Sequence, residues 1–208
     1  LHLSLRRQRQ MCIRDRNSGD PVGQGMAEGA AIGLLGIELH SRRRNRMNGV
    51  VAAGGQGLRV AVEQSFGNCP RYIQQRDFSF ARDPATPFVG DVVELSALDA
   101  AARALIEGAD TFFVATYADV EGQRQVDVSH RGGNSGFVRV EADGTLTIPD
   151  FNGNLFFSTL GNIVLNGKAG LLFVDFATGD VLQLSGDAEV IFDSAEIGAF
   201  QGCLLYTS

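Results

Sequence analysis

One seventeen-residue pattern occurs twice in this chain. GLLGIELHSRRRNRMNG begins at Gly33 and GLLFVDFATGDVLQLSG at Gly170, an offset of 137 residues. The three leading residues and the closing glycine are identical, and Ile37/Val174, Glu38/Asp175, Ser41/Thr178 and Met47/Leu184 are conservative pairs. A repeat this long points to two copies of a domain and not to a solenoid. Ahead of the second copy the sequence predicts a helix and four strands, and ahead of the first almost nothing. The expected organisation is therefore a C-terminal remnant of one unit over 17–76, a linker over 77–95 containing Pro84 and Pro87, and a nearly complete second unit over 96–200.

Local patterns fill in that outline. AAIGLLGIELH (30–40) is apolar with β-branched residues and reads as a buried strand. VVAAGGQG and LRVAVEQSF, with Leu58, Val60 and Val62 alternating, predict a second and third strand joined by glycine turns. Asn68 and Pro70 predict one or two helical turns in NCPRYIQQRD. A helix is expected over 96–108, capped by Ser96 with Asp99, with Leu98, Ala101, Ala102, Leu105 and Ile106 as its apolar stripe. Strands follow at 111–117, 125–129, 136–140 and 145–148, with DVEG and ADG as turns. A helix at 154–165 and strands at 169–176 and 180–192 complete a mainly β chain.

Composition narrows the function classes. The two ends, 1–16 and 203–208, resemble translated sequencing-adapter read-through, and the expectation is that both are non-native. Residues 1–16 hold five Arg and one Asp, so the rest of the chain carries a formal −10 against −6 for the whole. An acidic body argues against nucleic-acid binding, which needs a basic face. No apolar run is long enough to cross a bilayer, and no membrane partner is expected. Of three cysteines, only Cys69 lies outside the suspect ends, with no disulfide framework, so a cytoplasmic location is expected. Because Cys69 sits at a predicted helix start, its thiolate would be favoured there, but a buried structural role is the better reading. His40, His130 and Cys69 lack ligand spacing, so no metal is expected. Dinucleotide, P-loop and nucleophile-elbow signatures are absent.

The chemistry concentrates in 127–165, DVSHRGGNSGFVRVEADGTLTIPDFNGNLFFSTLGNIVL. Arg131 opens RGGNSG, whose glycines allow backbone N–H groups to turn toward an anion. Asn152, Gly153 and Asn154 precede an apolar helical run, and a helix start offers unpaired N–H groups. VSHRGG, GFVRV, TIPDFNGN and GLLFVDF together resemble the FMN-binding split β-barrel family of pyridoxamine 5'-phosphate oxidase, in order and spacing from about Ser96 to Asp193. The closer resemblance is to the duplicated-domain bacterial flavin-nucleotide-binding group of that superfamily, whose substrate is poorly defined.

The resemblance implies a split β-barrel, FMN as cofactor, a small-molecule substrate or electron donor, and an oxidoreductase. It implies barrel–barrel pairing, within the intact chain or as a homodimer, with FMN in the groove between barrels. A flavin or related ligand held without turnover is the alternative. Ser129, His130 and Arg131 fall where flavin ring and phosphate contacts come from, with Arg131 on the phosphate because a guanidinium suits it bidentately. Pro149, Asp150, Asn152 and Asn154 match the turn before the phosphate-side helix. Where the oxidase has basic residues, this chain has Asn154, Leu155 and Phe156.

Other readings of the same residues stay open. By itself His130 reads as a structural, hydrogen-bonding residue rather than a proton-transfer group, and Asp150 and Asn152 read equally as a turn and cap. Ser129 and His130 cannot form a nucleophile–base pair, because neighbours on a strand point to opposite faces. No catalytic residue is assigned. Arg42, Arg44, Arg43 and Arg46 form the one basic cluster outside the suspect end. On a strand, Arg42, Arg44 and Arg46 would share a face, and Arg44 is expected to reach the cofactor phosphate across the barrel interface.

Overall fold

A computed structural model describes residues 23, 25–52, 59–80, 83, 86, 92–153 and 157–192. The expected read-through ends, Asn154, Leu58, Pro84 and Pro87 lie outside the described residues. The chain is mainly β, and its sheets are antiparallel throughout. The first sheet is β1 (Ala31–Glu38), β2 (Arg43–Ala52) and β3 (Arg59–Gly67) in that order. The second contains β4 (Thr111–Val120), β5 (Gln123–Gly132), β8 (Lys168–Val174) and β9 (Val181–Asp187), ordered β5-β4-β8-β9. A ribbon of β6 (Arg139–Val140) with β7 (Leu146–Thr147), and helices α1 (Ala100–Gly108) and α2 (Ser158–Asn166), pack around it. Among the described residues β5 and β9 are open edges, so the second sheet is not a closed barrel.

The β4–β5 hairpin follows from its turn. Glu121 and Gly122 hold φ of 51° and 78°, the pair of left-handed residues that a two-residue hairpin requires. The ladder then runs unbroken from Val120↔Gln123 to Thr111↔Gly132. Its core face meets α1 and α2, with β8 beside β4 in the same sheet. Phe112 stacks on Phe137 at 5.7 Å and on Phe173 at 5.2 Å, and Ile106, Val114 and Val138 complete the buried cluster. Burying each of these side chains contributes about 1.5–3 kcal/mol.

The two copies of the repeated pattern are both hairpins, and their registers coincide. Leu34 faces Met47 and Gly33 faces Asn48 in β1–β2, as Leu171 faces Leu184 and Gly170 faces Ser185 in β8–β9. All seven pairs of β8–β9 lie 137 residues beyond a pair of β1–β2. Their turns agree as well. Arg42 and Gly179, also 137 apart, are both left-handed, at φ 58° and 86°. In one turn Glu38 accepts a hydrogen bond from the Ser41 hydroxyl. In the other, Asp175 accepts from the backbone N–H of Ala177 at 2.7 Å and Thr178 at 3.3 Å.

Several boundaries differ from expectation. α1 starts at Ala100 because Asp99, extended at φ −80° and ψ 179°, is the N-cap, accepting from the Ala102 N–H at 2.7 Å. NCPRYIQQRD forms no helix. Its backbone is drawn onto the first sheet instead, Asn68 N donating to Arg44 O at 2.9 Å and Arg76 N to Leu39 O at 3.2 Å. The Asn68 side chain is used too, accepting from Arg46 Nε at 2.8 Å. The strands expected at 136–140 and 145–148 shrink to two residues each, and β9 ends at Asp187. No helix among the described residues is long and apolar enough to cross a membrane.

Candidate functional site

Strand β5 divides the predicted residues between its two faces. Asp127, Ser129 and Arg131 lie opposite Thr116, Val114 and Phe112 of β4, on the core side. Val128 and His130 lie opposite Ala115 and Phe113, on the side turned to the first sheet. Adjacent strand residues point apart, so the SHR triplet does not converge on one spot. Ser129 is fully buried, with its hydroxyl 3.0 Å from that of Thr159 on α2. Thr159 in turn donates to Asp127 Oδ2 at 2.6 Å. Arg46 reaches both oxygens of Asp127, at 3.1 and 3.3 Å. Ser129 is thus part of a buried network that ties β2, β5 and α2 together.

On the core side, Arg131 faces a groove that Pro149, Asp150, Phe151, Asn152 and Tyr72 also line. Arg131 is ion-paired with Asp150. The Tyr72 hydroxyl donates to the Asn152 carbonyl at 2.9 Å, and its ring lies 5.3 Å from that of Phe151. Those contacts bring a residue of the 17–76 region to the predicted turn. The groove continues to the start of α2, where Phe157 occupies the cap position and, among the described residues, no side chain caps the helix. Phe157 offers no side-chain acceptor to the first-turn N–H groups or to the positive end of the helix dipole.

From the first sheet, Arg44 and Arg46 are buried on β2, Arg46 reaching Asp127 of β5 and Arg44 the carbonyls of Glu38 and Arg43, while Arg42 does not join them. Arg42 is exposed in the turn, where a left-handed residue breaks the strand alternation. His130 packs edge-on to Phe113 at 5.7 Å between ring centres. Burial lowers its pKa from 6.5 to about 3, helped by the charges of Arg44, Arg131, Arg76 and Arg46. Burial likewise lowers the pKa of Arg44, with Arg76 adding to the effect.

Of the predicted residues, Arg131, Pro149, Asp150 and Asn152 come together at the groove, Arg44 is buried on β2, His130 lies on β5 at its seam with the first sheet, and Ser129 is interior. Asp127, Thr159 and Tyr72 were not singled out in the sequence. A carboxylate between Val126 and Val128 was the available signal, since a strand carboxylate facing a core needs a partner. Cys69 is a free, half-buried thiol. Among the described residues no group of His, Cys, Asp and Glu has the arrangement of a metal site. No protein-family model, curated protein or solved structure matches the chain.

Proposed function

We propose that the protein is a cytoplasmic FMN-binding flavoprotein of the pyridoxamine 5'-phosphate oxidase-like class, acting as an oxidoreductase on a small molecule. The observation that supports this most is that Arg131 and the side-chain-uncapped start of α2 open on the same groove as the aromatic rings of Tyr72 and Phe151. A guanidinium and helix-start N–H groups suit a phosphate monoester, and aromatic walls suit a flat ring. These residues fit the cofactor that the sequence resemblance implies. Asp150, now paired with Arg131, would yield the guanidinium to a phosphate and move aside by rotation. Tyr72 and Phe151 would then set the plane of the ring, and the Tyr72–Asn152 bond would hold that wall in place. When bound, the flavin supplies the redox chemistry, and the protein supplies binding and orientation.

In this reading 17–76 and 96–200 are two related units, paired within the chain where β1 and β2 pack on β5. A second reading, ligand binding without turnover, is favoured by the engagement of the groove's polar groups: Asp150 is held by Arg131 and Tyr72 by Asn152. One measurement separates the two. The purified chain is expected to be yellow, or to become so with added FMN, and Arg131→Ala to weaken FMN binding by tenfold or more, the effect of losing about 1.4 kcal/mol. Colour that bleaches with a reduced nicotinamide and returns in air marks the enzyme. Colour that persists marks the binder, and no flavin uptake at all overturns both.

A further inference from the structure

We infer that the free edge of β9 is a pairing surface for a second copy of this chain, whose own β9 adds to it antiparallel about a two-fold axis at Gln183. This edge lies at the far end of the sheet from β5, against which β1 and β2 pack, and the inference does not rest on the proposed function.

The internal repeat shows what the edge lacks. Asp180 O accepts from Asp175 N and Ala188 N donates to Gly167 O, each at 2.9 Å. Antiparallel ladders alternate, and the β8–β9 register is unbroken between those two bonds. Asp180, Leu182, Leu184, Gly186 and Ala188 therefore turn their backbone groups to β8. Val181, Gln183, Ser185 and Asp187 aim theirs at the free edge. In the first sheet the same row is filled. Arg44, the counterpart of Val181, accepts from Asn68 N at 2.9 Å, and Arg46, the counterpart of Gln183, lies opposite Phe66 of β3. Among the described residues nothing stands beside β9 as β3 stands beside β2.

Three features select a second copy as the occupant. Edge strands are normally blunted by charge, proline or a bulge. Val181 to Gly186 contains no charged residue and no proline, and no bulge interrupts it. The strand is also self-complementary. Centred on Gln183, the pairing sets Leu182 opposite the partner's Leu184 on the core side and Val181 opposite the partner's Ser185 on the other. Asp180 then meets the partner's Gly186, and Asp187 the partner's Gly179. No two charges are opposed, as a patch that must complement itself across a two-fold axis requires. Finally, the groove that Leu182 and Leu184 line continues over Val164, Leu165, Ile191 and Phe192, all exposed. Contiguous exposed apolar surface marks an interaction site, and pairing at β9 brings the two copies' apolar surfaces side by side.

Sedimentation of the whole chain is expected to show a monomer–dimer equilibrium at about 10–100 µM, as a small interface gives. Gln183→Pro removes an N–H that only the partner uses, at a position where an edge strand tolerates proline. It is expected to keep the far-UV circular dichroism of the parent and to weaken dimerisation about tenfold or more. Gln183→Lys and Gln183→Glu each set like charges across the axis, so each alone is expected to be monomeric, and an equimolar mixture of the two to dimerise. Recovery on mixing needs the two side chains at position 183 to meet, which a general loss of structure would not produce. A monomeric parent overturns the inference. So does a dimer that persists in all three variants, because another surface then pairs, and so does a mixture that stays monomeric. Should Gln183→Pro fail to fold, the Lys and Glu variants decide the matter. A yellow monomer overturns this inference alone, and a dimer that takes up no flavin overturns the proposed function alone.

Discussion

The hairpins β1–β2 and β8–β9 share a register and a turn, yet they are buried on opposite faces. In β8–β9 the inward residues are Leu171, Phe173, Leu182 and Leu184, and Val181, Gln183 and Ser185 are exposed. In β1–β2 the counterparts of those exposed residues, Arg44, Arg46 and Asn48, are the buried ones. Asn45, the counterpart of Leu182, is exposed. Phe173 is fully buried at a position that Gly36 holds in the first hairpin. Backbone pairing is thus indifferent to which side is covered. What decides burial is the neighbour: β4 and the aromatic core on one side of β8–β9, and β5 on the other side of β1–β2.

The contrast is sharpest at its buried charges. Asp127→Ala leaves Arg46 buried without its carboxylate and is expected to cost about 3–5 kcal/mol in denaturant unfolding. Gln183→Ala, at the position equivalent to Arg46, is expected to stay within about 0.5 kcal/mol. Equal costs would show that the first hairpin is not held at the seam.

Titration should separate the two regions as well. The folded-state pKa of His130 lies near 3, below the 6.5 of a free histidine. The unfolded chain therefore takes up the proton first, and stability falls as pH drops from 6.5 toward 3, by at most about 1.4 kcal/mol per pH unit. In phosphate-free buffer, the parent should lose stability faster than His130→Gln across that window. Parallel curves would mean that the seam is open to water.

Smaller effects test the backbone. A Cβ at Gly49 would lie 2.1 Å from the Ala61 carbonyl oxygen, whereas at Gly186, its counterpart, nothing lies within 4 Å. Gly49→Ala is expected to destabilise by about 1–3 kcal/mol and Gly186→Ala to do so much less, read as a difference in Tm. At the turns, Arg42→Gly is expected to stabilise by roughly 0.5–1 kcal/mol, because it relieves a left-handed non-glycine residue. Gly179→Ala, the mirror change in the second turn, should destabilise by a similar amount.

Much of the fold was legible in local pattern. An apolar, β-branched run located β1, alternation located β3, and DVEG announced the tight turn between β4 and β5, while the repeat was read as two copies of a domain. Less of the site was legible. SHR reads as one cluster along the chain, but the strand sends His130 and Arg131 to different sides. NCPRYIQQRD has the caps of a helix, yet its hydrogen bonds are claimed by β2 and the loop after β1. The Asn68 side-chain oxygen accepts from Arg46 instead of from a first-turn N–H.

Sequence by itself determined the strands, the turns and the register of both hairpins, because glycine positions and residue alternation act over a few neighbours. Tertiary structure alone decided which face of each hairpin is covered and which arginine finds a carboxylate. Those outcomes depend on residues far apart in the chain, such as Arg46 and Asp127, whose mutual attraction has no trace in the local pattern of either strand.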